Sequence, residues 1–432
     1  YPFLLWLFKP FHSLALIAGL QHLMGLVTGV LVYAIMRRRG VNRWVATLVA
    51  LPVLFDSREL LVEQAIMSDT LAMVLMIAAF AVLLWDRVPS VWQTAAAGVL
   101  MGLSAVVRPT ILPLIVLAAA YVLVARLGWR RAGAALAGGL LPVAGYAAWF
   151  YSAYGVFNLS NSSGLFLWSR TMSFADCGVI KPPPDLRPLC PARNRATLGK
   201  LPPNPRSWHT LLQQETPQDY LWARTSWMWQ PQPSNGYEPY QVAFTPAKNK
   251  RAQQFAERAI LAQPAGYATV VGEGVALTFL ATDHDWQFPS RQPRSPPAPT
   301  GTYRYELHAL RAYTAPGSGL APYLGHHIGT RQQQPYAHFI SSYQKHAYLP
   351  GGVLALVFAA GLAGILIRRK GSAAALLLWL SAFTQLVLPI AVHQFNYRYT
   401  LAAVPLACMA AALAIAGAPR AAGPAAGEPA AS

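Results

Sequence analysis

Long apolar runs separated by short polar loops make up most of this chain, and they predict helices that cross a membrane. Most of the runs approach the roughly 20 residues that a helix needs to span a bilayer. Six runs come first, then a long polar insert, then three more runs. The nine runs cover residues 14–36, 43–55, 66–85, 91–107, 110–125, 132–150, 349–367, 372–392 and 399–417.

The composition agrees with this interpretation. Of the 432 residues, 54% are hydrophobic and only 12% are charged, about half the charged share of a soluble domain. The sequence therefore predicts an all-α polytopic membrane protein. We divide it into a first bundle at 1–150, an insert at 151–348, a second bundle at 349–417 and a disordered cytoplasmic tail at 418–432.

Basic residues predict which side of the membrane each loop faces. The short loops after every second run, with the tail, hold twelve basic residues, whereas the opposite short loops hold three, Arg58, Arg108 and Arg398. Basic loops stay in the cytoplasm, so the insert is expected to be extracytoplasmic, in a multi-pass protein of the cell membrane. The twelve are Arg37, Arg38, Arg39, Arg43, Arg87, Arg126, Arg130, Arg131, Arg368, Arg369, Lys370 and Arg420.

The net charge of +18 does not indicate nucleic-acid binding. Most of it lies in the cytoplasmic loops, and the insert contains no run of basic residues interleaved with aromatic ones. A basic outer insert is better suited to anionic lipid headgroups or to a substrate that carries a phosphate. We therefore expect the lipid bilayer as a partner and no nucleic acid.

The first residues, Tyr1-Pro-Phe-Leu-Leu-Trp, are neither an initiator methionine nor a signal peptide. The predicted topology already places residue 1 outside the membrane. We therefore expect at least one further helix to precede this segment.

The insert contains two of the three cysteines, Cys177 and Cys190, around a proline-rich loop. An oxidising compartment favours a disulfide between them over two unpaired thiols. Cys408, in the last apolar run, is expected to be a small core residue.

The rest of the insert lacks the pattern of a well-marked soluble domain. Its proline-rich stretches at 182–191, 202–205 and 289–299 predict coil. Residues 246–281 show a helical pattern with a break at Pro264, and Trp222, Trp227 and Trp229 lie nearby. This pattern predicts amphipathic helices on the outer membrane surface rather than a separate catalytic fold.

Four carboxylates lie within residues 56–69, the acidic window, between two apolar runs. Because a charge beside lipid is costly, the window predicts a polar site at a membrane face. Asp56, Glu59 and Glu63 follow helical spacing and would share one helix face. Asp69 follows Ser68, a predicted N-cap, so an acid that only favours the helix start is the simpler alternative. For Glu63 the simpler alternative is a solvated loop charge.

Two more polar groups are predicted on the same side. Arg108-Pro109 separates two apolar runs, and His393-Gln-Phe-Asn396-Tyr397-Arg398-Tyr399 precedes the last run. An arginine this close to lipid needs an anionic partner. The alternatives are a snorkelling arginine and an aromatic belt at the membrane surface. Together with the acids, the arginines suit a substrate with an anionic head and a lipid tail.

Three short motifs support this interpretation by their order and common side. They are Glu63-Gln-Ala-Ile-Met-Ser68-Asp69-Thr-Leu, Arg108-Pro109-Thr110, and Asn396-Tyr397-Arg398-Tyr399 before a helix that contains Pro405. They resemble motifs of the GT-C-fold glycosyltransferases that use polyprenyl-phosphate sugars. That group includes the protein O-mannosyltransferases and the lipid A aminoarabinose transferases. The resemblance spans about residues 1–165 and 350–417.

The resemblance implies a GT-C-like helix bundle with an extracytoplasmic insert. It also implies inverting transfer of a sugar from a polyprenyl-phosphate donor to a protein or envelope-glycan acceptor. The catalytic aspartate of such enzymes lies in the first outer loop, expected before Tyr1, so no catalytic base is assigned. The site candidates are Arg58, Glu59, Glu63, Asp69, Arg108, His393, Tyr397 and Arg398.

Within this set the resemblance implies two roles. Glu63 and Asp69 would shape the site or bind a divalent metal, although no set of metal ligands is assigned. Arg108 and Arg398, with Arg58 and His393, would bind the donor phosphate. The sequence has neither an Asp-x-Asp motif nor a glycine-rich phosphate loop, so no nucleotide cofactor is expected.

Other membrane functions remain as alternatives. A transporter or lipid flippase would predict internal repeats and ionisable residues near helix midpoints, and the sequence shows neither. A polymerase or ligase of lipid-linked glycans would use a similar donor, and the sequence does not separate it from the transferase. A non-catalytic scaffold would leave the clustered acids without a purpose.

Overall fold

A computed structural model describes residues 1–191, 217–222, 226–230, 243–280, 335–344, 346–368, 372–394 and 396–416. All regular elements in these ranges are helices, and the ranges contain no strand. Four helices are long and apolar enough to cross a membrane, so the chain is an all-α membrane protein. The four are Leu14–Arg38, Trp129–Tyr154, Ala373–Val392 and Tyr397–Ile415.

Each of the nine predicted runs corresponds to helical structure. Beside the four long helices lie four shorter apolar ones, at Arg43–Phe55, Val91–Val107, Pro109–Val124 and Gly351–Ile367, and one bent pair. The predicted tail and the proline-rich stretches at 202–205 and 289–299 lie outside the described residues. The α-helices are α1 (Pro2–Phe8), α2 (Leu14–Arg38), α3 (Arg43–Phe55), α4 (Ser57–Gln64), α5 (Ser68–Leu84), α6 (Val91–Val107), α7 (Leu112–Val124), α8 (Trp129–Tyr154), α9 (Ser163–Thr171), α10 (Cys177–Ile180), α11 (Pro217–Trp222), α12 (Pro246–Ala262), α13 (Pro264–Leu280), α14 (Tyr336–Gln344), α15 (Gly351–Arg368), α16 (Ala373–Val392), α17 (Tyr397–Thr400) and α18 (Ala403–Ala416).

The bundle has two chemically different ends. Helices α2 and α5 run parallel, because Gln21 bonds to the Met67 carbonyl near their starts while Arg38 pairs with Asp86 at 2.9 Å near their other ends. Helices α6 and α8 are parallel too, since Gly98 lies against Ala135 and Gly102, one turn later, lies against Gly139. The basic loops at 37–43, 86–90 and 126–131 therefore share one end. The acidic window lies at the opposite end, which we call the site end.

Glycines let α6 and α8 approach at backbone distance. Gly98 and Gly102, one turn apart on α6, lie against the backbone of Ala135 and Gly139 on α8. A Cβ atom added at Gly98 would stand 2.2 Å from the Ala135 carbonyl oxygen. Small residues at this spacing are typical of helix pairs in membranes, where close backbone packing replaces the hydrophobic effect.

This packing predicts that Gly98→Ala destabilises the bundle. The added methyl group must push two helix backbones apart, and overpacking of this kind costs about 1–3 kcal/mol. The matched control is Gly133→Ala on α8, because nothing lies within 4 Å of a Cβ at Gly133. Thermal unfolding in detergent should show a lower midpoint for the first variant only. Equal midpoints for the two variants would contradict the packing.

The insert has a core of its own, next to the membrane bundle. Helix α12 packs on α9, and the disulfide lies at the edge of this core. The predicted bond between Cys177 and Cys190 is confirmed, with a Cα–Cα distance of 6.1 Å. The predicted break at Pro264 is also confirmed, since it separates α12 from α13. The buried members include Leu165, Trp168, Met172, Leu186, Leu189, Leu221, Met228 and Phe255.

The prediction that α12 lies flat on the membrane surface is not supported. Four apolar residues of its pattern, Ala252, Phe255, Ala256 and Ala259, are fully buried in the insert core. An amphipathic sequence specifies that one face is covered without specifying whether lipid or protein covers it. Cys408 is buried and unbridged in α18, as predicted for a small core residue.

Candidate functional site

The acidic window forms a short helix that lies across the site end. Asp56 caps α4, because its carboxylate accepts hydrogen bonds from the backbone N–H of Arg58 at 2.9 Å and of Leu349 at 2.8 Å. Helix α4 then meets α5 at an angle of 115°. Ile66, in the connection, has a left-handed backbone with φ of 54°. The turn directs α4 away from the axis of α5, and all four carboxylates of the window are buried.

Asp69 joins two arginines that are distant in sequence. Its Oδ1 accepts from Nη1 of Arg108 at 2.6 Å, and its Oδ2 accepts from Nε and Nη2 of Arg398 at 2.8 and 2.6 Å. The three side chains, the Asp69 cluster, come from α5, from the end of α6 and from α17. One carboxylate against two guanidinium groups leaves a positive charge in excess.

Two simpler alternatives do not fit the structure, namely that Asp69 only favours the helix start and that Arg108 snorkels to the surface. Helix α5 begins at Ser68, and its N-cap is Met67 without a side-chain hydrogen bond, so the predicted Ser68 cap is wrong. The Asp69 carboxylate binds arginines, which is more than an acid in a first helical turn needs. Arg108 does not snorkel to the surface either, since its side chain is only 13% exposed.

Tyrosine rings cover the arginines of the site. The Tyr399 ring lies 5.4 Å from the Arg108 guanidinium and 5.8 Å from that of Arg398. The rings of Tyr348 and Tyr397 hold Arg58 between them, at 4.8 and 4.2 Å. Contact with an aromatic face stabilises a cation that has lost part of its water. The aromatic residues before the last apolar run therefore belong to the site rather than to a simple membrane belt.

Glu63 has a partner that the sequence pattern did not predict. Its Oε2 lies 2.6 Å from Nδ1 of His22 on α2. Gly25, almost one turn further along α2, makes room for this carboxylate, because a Cβ there would stand 1.8 Å from Oε1 of Glu63. The signal was present as the polar pair Gln21-His22 and a glycine inside an otherwise apolar run. Glu63 is therefore a buried, paired carboxylate and not a solvated loop charge.

Glu59 is one of the four buried acids of the window, with only 3% of its surface exposed. Its burial raises the pKa of the Glu59 carboxyl well above the usual range, and the neighbouring Glu63, Asp56 and Asp69 carboxylates raise it further. Only the charge of Arg108 opposes these effects. The group is therefore held in its protonated form over a wider pH range than an ordinary glutamate.

We expect Glu59→Gln to stabilise the protein in a pH-dependent way. The folded state keeps the Glu59 proton to a higher pH than the unfolded chain does, so stability falls as pH rises above the ordinary carboxyl range. The variant should match wild type near pH 4, about where glutamate titrates in an unfolded chain. Near pH 8 it should be more stable by about 1–3 kcal/mol, the cost of a poorly satisfied buried polar group.

Unfolding midpoints across this pH range test the expectation. The exposed Glu257 on α12 provides the control, and Glu257→Gln should follow wild type throughout. A Glu59→Gln variant that is destabilised at every pH would show that the carboxylate is ionised and well bonded.

His393 lies at the junction between insert and bundle, not on the arginine pair. Its Nδ1 is 3.2 Å from Oγ of Ser169, and its ring packs edge-on against Phe166 at 4.8 Å. Burial, aided by the charge of Arg170, lowers the pKa of His393 to about 3. Among the described residues of the site, the neutral imidazole approaches the Tyr399 ring, with 6.3 Å between the ring centroids. The geometry therefore gives no support to the predicted phosphate contact.

Among the described residues, six of the eleven buried side-chain polar atoms without a hydrogen-bond partner lie at the site end. Native proteins leave few such atoms, and ordered water or a bound ligand usually satisfies them. Several belong to residues close to the Asp69 cluster, such as Thr70 beside Asp69. Within the described residues they include Tyr1 Oη, Gln21 Oε1, Ser57 Oγ, Arg58 Nε, Thr70 Oγ1 and Thr110 Oγ1.

The described residues contain no group of three or more histidine, cysteine, aspartate or glutamate side chains arranged to hold a metal ion. Glu63 is engaged with His22 and Asp69 with two arginines, so neither acid is arranged as a ligand here.

No protein-family model, no curated protein and no solved structure matches this chain.

Proposed function

We propose that this protein is a membrane glycosyltransferase that moves a sugar from a polyprenyl-phosphate donor to a protein or envelope-glycan acceptor. The observation that carries the proposal is the Asp69 cluster, which holds two arginines at one end of an apolar helix bundle. By the charge bias of its loops, this end faces the outside of the cell. The cluster suits the phosphate of the donor, and the bundle suits its lipid tail.

The arginines can bind an anion without releasing Asp69. Arg108 uses Nη1 for Asp69, and Arg398 uses Nε and Nη2. The other N–H groups of both side chains remain available for phosphate oxygens, and a positive charge remains to attract them. Asp69 also fixes both guanidinium planes, which reduces the ordering that binding would require. Charge-assisted contacts of this kind are among the stronger hydrogen bonds in proteins.

Apolar surface lies directly beside the charged groups. Helix α14 contacts α4, and the Tyr343 hydroxyl donates to the Phe55 carbonyl at 2.6 Å. Next to this contact, Phe55, Phe339 and Ile340 are all more than half exposed. An exposed apolar surface adjoining a cationic site fits an amphiphile with an anionic head and a long hydrocarbon chain.

The proposed reaction makes one bond and breaks one. The acceptor hydroxyl oxygen attacks the anomeric carbon, the bond from that carbon to the phosphate oxygen breaks, and the electron pair stays on the phosphate. Arg108 and Arg398 would stabilise the negative charge that develops on the leaving polyprenyl phosphate. A base must take the hydroxyl proton, and we assign no residue to this step.

The position of the charges favours this function over transport. The buried aspartate, glutamate, arginine and histidine side chains of the described residues lie in α4, at the start of α5, or where the insert meets the bundle. A transporter needs ionisable groups near helix midpoints to carry its substrate through. A polymerase or ligase of lipid-linked glycans would share the same donor site and differ only in its acceptor.

Binding of the lipid alone tests the anion site. Purified protein in nanodiscs should bind decaprenyl phosphate but not decaprenol, because only the phosphate engages the arginines. Raising the salt concentration should weaken the interaction. Equal affinity for the two lipids would show that the arginines do not recognise phosphate.

A further inference from the structure

A second polar region lies beside the Asp69 cluster, where α2 meets α4 and the start of α5. Gln21 is fully buried there, and its side-chain nitrogen donates to the Met67 carbonyl while Oε1 has no partner among the described residues. The Tyr1 hydroxyl faces the Gln21 amide without a hydrogen bond of normal geometry, and it senses the charge of Asp69. Two buried polar atoms with unused hydrogen-bonding capacity thus lie next to the cluster.

Carboxyl groups complete this region. No described residue hydrogen-bonds to the Glu59 carboxyl, although the side chain is only 3% exposed. The His22–Glu63 pair borders the region, and His22 also contacts Gln64 at 3.1 Å. The region therefore combines an amide oxygen, a phenol and a carboxyl group, which can donate as well as accept hydrogen bonds.

These groups select against charged ligands. An anion would meet the carboxyl groups of Glu59 and Glu63, so a phosphate belongs on the arginines instead. An ammonium group would find no free carboxylate, because Glu63 is already paired with His22 and burial favours the neutral form of Glu59. Hydroxyl groups of a neutral carbohydrate both donate and accept, and they match the unused capacity of the region.

We propose that Gln21, Tyr1 and Glu59 form a carbohydrate subsite, separate from the phosphate subsite at Arg108 and Arg398. This inference rests on the proposed function and adds to it separate binding regions for the phosphate and for the sugar. The Asp69 cluster holds the phosphate of the donor, and the region between α2 and α4 holds the hydroxyl groups of its sugar. The sugar of the best donor is accordingly neutral.

The test compares lipids with and without a sugar. Affinities are measured in nanodiscs for decaprenyl phosphate and for the same lipid carrying glucose, mannose, arabinose or an amino sugar. Tyr1→Phe is the most informative variant, because the hydroxyl that it removes has no normal hydrogen bond within the protein. Gln21→Met is the second variant. Tyr33→Phe, which removes a more exposed phenol nearer the other end of α2, is the matched control.

We expect wild type to bind one of the neutral sugar lipids more tightly than decaprenyl phosphate. Tyr1→Phe should weaken that binding about three- to tenfold, the effect of one hydrogen bond, and leave decaprenyl phosphate and the Tyr33→Phe control unchanged. Equal weakening of both lipids, no weakening of either, or a preference for the amino-sugar lipid would overturn the subsite. If wild type binds decaprenyl phosphate but gains nothing from any sugar, the subsite fails and the phosphate site stands. If it binds no phosphate lipid, both proposals fail.

Discussion

Asp69→Asn is expected to lower the free energy of unfolding by about 3–5 kcal/mol, the usual cost of removing one partner from a buried ion pair. The variant keeps the shape of the side chain but removes the only carboxylate that bonds to Arg108 and Arg398 in the described structure. Two guanidinium groups would then lie side by side with little water. Because the three residues join α5, α6 and α17, the helices at the site end should separate.

Chemical or thermal unfolding in detergent measures this effect. The control is Asp86→Asn, which removes the partner of Arg38 at the opposite, exposed end of the bundle. Exposed pairs contribute little, so its midpoint should stay near that of wild type. If Asp69→Asn unfolds like Asp86→Asn, then the Asp69 cluster does not hold the helices together.

Arg108→Lys should abolish most of the transfer activity while preserving the fold. A lysine ammonium can still pair with Asp69, so the bundle keeps its central ion pair. It cannot also offer the planar set of N–H donors that a phosphate engages, and lysine does not reproduce this geometry. We expect a loss of roughly 100-fold in kcat/KM, equivalent to about 2.7 kcal/mol of transition-state stabilisation.

The stability of the same preparation must be measured alongside its activity. Arg38→Lys at the other end of the bundle changes the same residue type without touching the site, and it should leave both quantities unchanged. A loss of activity that only parallels a loss of folded protein would assign Arg108 a structural role alone.

The sequence predicted well those features that depend on local pattern. The nine apolar runs all form helices, Pro264 separates α12 from α13, and the disulfide forms between Cys177 and Cys190. Helix length is more difficult to predict, because only four of the helices in the described residues are long and apolar enough to span a membrane on their own. Short helices such as α3 depend on their packing within the bundle, which hydropathy does not describe.

The sequence predicted most residues of the site but not which side chains contact one another. Arg398 reaches Asp69 across 329 positions of sequence, and only the folded bundle determines that the two meet. The same applies to His22, whose role depends on the space left by Gly25. His393 was predicted at the site because it lies close to Arg398 in sequence. In the structure its side chain contacts Ser169 of the insert and not the arginines. The wrong Ser68 cap arose because Met67, one residue earlier, already has the extended backbone of an N-cap.

Transfer from a lipid-linked donor tests the central claim most directly. The protein is reconstituted in nanodiscs with radiolabelled polyprenyl-phosphate sugars and candidate acceptors, and labelled product is counted. We predict transfer by wild type without any nucleotide sugar, and none by the variant with Arg108→Ala and Arg398→Ala. Equal transfer by the two proteins would contradict the phosphate site. Solute uptake into vesicles without transfer from any donor would contradict the enzyme and favour a transporter.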